Sequence, residues 1–138
     1  MGYSISWDNE EKTVVFQYYE KGGTKQDLYD LVRESAGMLN TFEHRVHLII
    51  DQRNVRYLMN AADMAFLEEN KPKNQGVVIL IIEQNIETHK SMTQKIGRRA
   101  APHAFSDTYF VASLDEARKI LQEHHGVHYP SVVTETQE

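Results

Sequence analysis

The sequence predicts an α/β domain: a mixed, mostly parallel sheet with an N-terminal antiparallel hairpin and helices between the later strands. Three observations carry this reading. Two short apolar runs, Val46-His47-Leu48-Ile49-Ile50-Asp51 and Val77-Val78-Ile79-Leu80-Ile81-Ile82-Glu83, are rich in branched residues and each ends in an acid. Such runs suit strands covered on both faces, the setting of a parallel sheet between helices. The N-terminal segment alternates instead, and the stretches between strands repeat at helical spacing behind capping residues.

In order along the chain, Tyr3, Ile5 and Trp7 alternate with Ser4, Ser6 and Asp8, and Val14, Phe16 and Tyr18 alternate with Val15, Gln17 and Tyr19. With the polar stretch 8–12 between them, these segments read as a β-hairpin. Gly22-Gly23 breaks the chain, and Thr24 with Asp27 has the spacing of a capping box. A helix follows to about Asn40, with Leu28, Leu31, Val32, Ser35 and Leu39 on its inward face. After the strand ending at Asp51 a polar loop leads to Asn60, the cap of a second helix whose inward side holds Met64 and Leu67 and which stops before Pro72. The strand from Val77 to Ile82 comes next. On a wheel of about 100° per residue, a helix from about Ile86 to Arg99 places Ile86, His89, Met92, Thr93, Ile96 and Ala100 on one side and Lys90, Lys95, Arg98 and Arg99 on the other. Thr108 to Ala112 forms the last strand. Ser113-Leu114-Asp115-Glu116 repeats the capping spacing before a final helix that closes at Gly126, a left-handed cap. The order is β-β-α-β-α-β-α-β-α.

A chain of 138 residues with 41% apolar and 25% charged residues has the size and balance of one ordinary globular domain. Residues 1–126 are assigned to it, and residues 127–138, carrying Pro130 and no period, to a loosely held C-terminal tail. A formal charge of −5 opposes attraction to polyanions, so nucleic acid is not an expected partner. No run reaches the roughly 18 apolar residues of a spanning helix, and the start lacks the basic-then-apolar order of a secretion signal, so membrane insertion is not expected and a cytoplasmic location is. The absence of cysteine excludes disulfides and thiolate chemistry.

The element order, the strand Val46 to Asp51 followed by a polar loop and short helix, and the ending Phe110-Val111-Ala112-Ser113-Leu114-Asp115-Glu116-Ala117 together resemble a STAS domain. This is the family of anti-sigma-factor antagonists and sulfate-transporter regulatory domains, and the likeness is to its divergent, STAS-like branch. The resemblance spans roughly Tyr3 to His125. It implies a non-enzymatic, regulatory protein-binding module that meets its partner through the loop after this strand and the following helix. In the antagonist branch that loop carries a phosphorylatable serine or threonine. Here it reads Asp51-Gln52-Arg53-Asn54-Val55-Arg56-Tyr57 and has neither.

The same loop is a candidate site on physical grounds, because ligands of open α/β sheets bind beyond the carboxyl ends of strands. Asp51, Arg53, Asn54, Arg56, Tyr57 and Met64 form the expected partner-binding surface, with the arginines beside a helix N-terminus selecting an acidic protein. The competing reading is that Asp51 pairs with Arg53 or Arg56 and merely fastens the loop. Lys90, Lys95, Arg98 and Arg99, extended by Lys71 and Lys73, form a secondary basic surface or an ordinary solvated helix face. A second functional reading is a carrier in which the helices around Met64, Phe66, Leu67 and Met92 enclose an apolar pocket for a small molecule or lipid.

No catalytic residues, cofactor or metal are expected. The chain has no G-x-S-x-G elbow, no phosphate loop and no G-x-G-x-x-G. His124, His125 and His128 cluster at the end of the last helix, but no carboxylate joins them at a metal-site spacing, and His47 reads as a strand residue facing a helix. His103 reads as a loop residue. Asp51 at a strand end suggests the phospho-acceptor of a receiver domain, but the acidic pair and the final lysine of that family are missing. Tyr3, Trp7 and Tyr19 on the hairpin either cover an edge or join a second copy as a homodimer.

Overall fold

The computed structural model describes residues 2–55, 57, 59–83 and 108–129. Strands β1 (Tyr3–Trp7) and β2 (Val14–Tyr19) precede helix α1 (Lys25–Leu39), followed by β3 (Val46–Asp51), α2 (Ala61–Glu69), β4 (Gln75–Ile81), β5 (Thr108–Val111) and α3 (Leu114–His125). The five strands form one sheet in the order β1-β2-β3-β4-β5. The hairpin pair β1–β2 is antiparallel, and β2–β3, β3–β4 and β4–β5 are parallel. The expected α/β class and the mostly parallel sheet are thus observed. The helix expected from about Ile86 to Arg99, with Lys90, Lys95, Arg98 and Arg99, lies outside the described residues, as do Met92, His103 and Arg56.

The helices begin where the caps require. The Asp27 carboxylate accepts from the Thr24 amide at 2.7 Å, Asn60 Oδ1 from the Asp63 amide at 2.8 Å and Ser113 Oγ from the Glu116 amide at 3.2 Å. Gly126, at φ 65°, ends α3 in the left-handed conformation that glycine adopts without a Cβ penalty.

Alternation along the strands sorts the core into two faces. Val14, Ile49, Val77, Ile79, Ile81 and Val111 meet Ala117 and Leu121 of α3. On the opposite face Val15, Leu48, Val78 and Leu80 join Leu39 at the end of α1, and Tyr3 and Tyr19 join Leu28 and Leu31. Tyr3 and Tyr19 are therefore buried under α1 rather than presented to a second copy. Trp7 meets the edge of Phe42 with ring centroids 5.4 Å apart.

The stretch assigned to a loose tail needs correction at its start. Val127 belongs to the core below α3. The Tyr129 hydroxyl donates to Asp8 Oδ2 at 2.6 Å, and the Arg118 guanidinium grips the same carboxylate at 2.7 and 3.1 Å. A buried carboxylate with three donors holds residues 127–129 against the hairpin, which lack of periodicity could not reveal.

One irregularity organises the centre of the sheet. Val46 pairs with Gln75 and Leu48 with Val78, so β4 carries one extra residue opposite His47. A bulge leaves an amide without its ladder partner. Here the Val77 amide donates to Nδ1 of His47 at 3.0 Å, so the ring proton must sit on Nε2 and the ring is neutral. A Cβ on Gly76 would collide with that ring, which explains a glycine at this point. Burial, reinforced by His125 and Arg45, pushes the His47 pKa down to about 4. Protonation would set an N–H against the Val77 N–H and a cation beside Arg45 and His125.

Because the folded value lies below the ordinary 6.5, the unfolded chain binds the proton first as pH falls. The stability contributed by neutral His47 is therefore complete above about pH 6.5 and is lost progressively toward pH 4, by on the order of 3 kcal/mol. Urea unfolding of wild type and His47→Gln at pH 7.5 and 4.5 checks this: the wild-type loss should exceed that of the variant, and equal losses would remove His47 as the cause.

Candidate ligand pocket

The loop after β3 is built from bonds it makes to itself and to the hairpin. The Arg53 guanidinium meets the Asp51 carboxylate as a fork, Nε to Oδ1 at 3.0 Å and Nη2 to Oδ2 at 2.7 Å, and the Arg53 amide adds a third donor at 3.1 Å. Asp51 is 2% exposed, and the hydrogen bond to it raises the Arg53 pKa. Asn54 donates to the Tyr18 hydroxyl and to the Tyr19 carbonyl, both at 3.1 Å. Val55 and Tyr57 pack against the cluster of Tyr3, Tyr19, Leu28 and Leu31. Burial, and then the charges of Asp27 and Asp63, push the Tyr57 pKa up to about 12. Met64, expected on the partner-binding surface, is 1% exposed and offers a partner no surface in this conformation, because its turn of α2 faces inward.

Helix α2 is fastened chiefly to α1. Lys25, Tyr29 and Arg33, one turn apart on α1, reach across to Asp63 and Phe66. Asp63, 3% exposed, accepts from the Lys25 ammonium at 2.9 Å, the Tyr29 hydroxyl at 2.8 Å and the Asn60 amide at 2.9 Å. Burial pushes its carboxyl up, but the Lys25, Asn60 and Tyr29 donors outweigh it and hold the pKa below the ordinary value. The Phe66 ring lies 4.4 Å from that of Tyr29 and 5.2 Å from the Arg33 guanidinium. With Phe66 turned to α1, only part of this short helix is left to cover the sheet.

The uncovered space is a cavity of about 70 Å³ between α1, α2 and the sheet. That is several times the minimum of roughly 10–15 Å³ for one water. Its roof is Leu28, Val32, Ser35 and Ala36 of α1 with Leu67 of α2, and its floor is Gln17 and Tyr19 of β2, Leu48 and Ile50 of β3, and Val78 and Leu80 of β4. Met59 and Gln52 close one end. At the other, Ala36, Asn70, Lys71 and Pro72 also line a shallower, more open groove, so the cavity leads toward the surface there. The sequence places an apolar pocket near Met64, Phe66, Leu67 and Met92; of these Leu67 lines the cavity, while Met64 and Phe66 do not. Sequence reasoning misses Gln17 and Ser35 as pocket residues, although each is the polar member of an otherwise apolar inward set, and that is the available signal.

Elsewhere His47 and His125 take structural positions. The Tyr109 hydroxyl and His125 Nε2 are 2.9 Å apart, and the His125 and His47 rings lie 5.7 Å apart. Among the described residues no three metal-ligating side chains converge, and no helix is long and apolar enough to cross a membrane.

Comparison of the chain with protein-family models, curated proteins and solved structures finds no match.

The Asp51–Arg53 fork carries a measurable consequence. Truncating Arg53→Ala leaves a buried carboxylate short of two donors, a cost of about 1–3 kcal/mol once the partial exposure of the guanidinium is allowed for. Equilibrium urea unfolding should show this as a lower midpoint at unchanged slope. An unchanged midpoint would show that the fork contributes nothing to stability.

Proposed function

We propose that this chain is a non-enzymatic module that binds a small, largely apolar molecule between its sheet and the α1–α2 layer. The single observation that carries the reading is the cavity itself: a hollow between α1, α2 and the sheet, walled largely by apolar side chains and opening beside Ala36, Asn70, Lys71 and Pro72. Natural cores fill such spaces, because each lost contact weakens the fold. An occupant would restore those contacts.

Kinship with the STAS-like branch belongs to the same proposal, supported by the element order within the described residues. Docking of an acidic protein by the loop after β3 has weaker support, since Asp51, Arg53, Asn54 and Tyr57 are used in internal bonds and packing.

A plug at the mouth tests the reading. In nuclear magnetic resonance titrations of the full chain with benzene and hexan-1-ol, amide shifts should concentrate on residues 17–19, 32–36, 48–50 and 67–71. Ala36→Phe should weaken binding at least tenfold while leaving the thermal midpoint within a few degrees. Scattered or absent shifts, or undiminished binding in the plugged variant, would overturn the proposal.

A further inference from the structure

Within the cavity, one pair of side chains departs from its apolar surroundings. Gln17, 3% exposed, points from the middle of β2, and Ser35, 5% exposed, from the inward face of α1; Gln17 Nε2 donates to Ser35 Oγ at 2.9 Å. Both line the cavity. A glutamine side chain offers two N–H donors and a carbonyl acceptor, and a serine one donor and an acceptor oxygen. The bond between them uses one donor and one acceptor. Among the described residues no further partner is found for the Gln17 amide or for the Ser35 hydroxyl proton. Turning the amide over changes which of its two polar atoms is left, not the fact that one remains. Buried polar groups are nearly always satisfied, and those left over in the wall of a hollow are satisfied by what enters it.

Among the described residues lining the cavity none beside this pair is charged: Lys71 sits at the mouth with Asn70 and Pro72. An ionised group at the Gln17–Ser35 pair would be removed from water without a counter-ion, which is strongly unfavourable. A neutral group that both donates and accepts would complete the pair's hydrogen bonds without that penalty. A hydroxyl and a primary amide share this chemistry.

From this we infer that Gln17 and Ser35 are the recognition element of the pocket, and that its ligand is an uncharged molecule with a small apolar body and one polar end of hydroxyl or amide type, bound with that end against the pair. The inference rests on the proposed pocket and adds the chemistry of the occupant.

The two can fail separately. Dissociation constants are measured on the full chain at pH 7.5, by nuclear magnetic resonance titration, for hexan-1-ol, hexanamide, hexanoate and hexane, which share one chain length and differ at one end. The alcohol and the amide should bind at least tenfold more tightly than hexanoate and hexane. Gln17→Leu, which replaces the amide with an apolar group of similar shape, should bring the alcohol to within about threefold of hexane without weakening hexane. Equal affinities for all four probes, tightest binding of hexanoate, or an alcohol preference that survives Gln17→Leu would overturn the inference while leaving a pocket. Failure of every probe to bind would remove the pocket reading as well. The wild-type series decides by itself if the variant does not fold.

Discussion

Two-sided burial of β3 and β4 is the constraint on which the rest of the structure depends. Their inward residues on both faces are almost wholly withdrawn from water, Ile49, Ile79 and Ile81 on one and Val46, Leu48 and Leu80 on the other. A strand apolar on both faces cannot sit at a surface, so helices must lie above and below it. The two coverings differ in quality. Under α3 the face is closed by Ala117, Leu121 and Val127 in continuous apolar contact. Under α1 and α2 the same requirement is met at the ends of the layer and only partly in the middle, where Gln17 and Ser35 face each other.

That asymmetry follows from how the helices are held. The inward stripe of α1 packs on the hairpin through Leu28 and Leu31 and on the central strands through Leu39. Helix α2 has no comparable stripe: Phe66 turns to α1, and Asp63 faces the Lys25–Tyr29 pair. Opposite charges and rings facing each other across two helices fix their separation without filling the space beneath them. The loop preceding α2 is held by its own bonds, with Asp51 gripped by Arg53 and Asn54 bonded to the hairpin.

Among the uncharged polar side chains inside this domain, two uses stand apart. His47 answers a defect in the sheet, taking the place of the carbonyl that the bulge removes from Val77, and its neutrality is enforced by burial and by the neighbouring His125 and Arg45. Half-buried Asn74 is similar in use: its amide donates to the carbonyls of Leu39, Phe42 and His44 and closes the chain between α1 and β3. In both, the side chain is used to stabilise backbone geometry. Gln17 and Ser35 answer no backbone defect. Their remaining hydrogen-bonding capacity faces a space, and this separates a candidate site from a satisfied core.

The sequence alone determined the α/β class, the mostly parallel sheet and helices α1, α2 and α3, because the signals involved are local. Two faces of apolar residues, alternation in the hairpin, Thr24, Asn60 and Ser113 as caps, and Gly126 as a stop all act within a few residues of where they stand. The pairing of Asp51 with Arg53 was legible for the same reason, as one of two readings of a short loop. Met64 was legible as an inward residue of α2, but its assignment to the partner surface as well was not excluded, because that depends on how the helix is held, and its contacts with Lys25, Tyr29 and Arg33 lie some 30 or more positions earlier in the chain. Tyr129 escaped notice because its partner, Asp8, lies 121 positions away. Tertiary structure alone decided where space would remain: a cavity is a property of how separate elements fail to meet, and no run of residues encodes it until α1, α2 and the sheet are brought together with Gln17 and Ser35 on opposite sides of the gap.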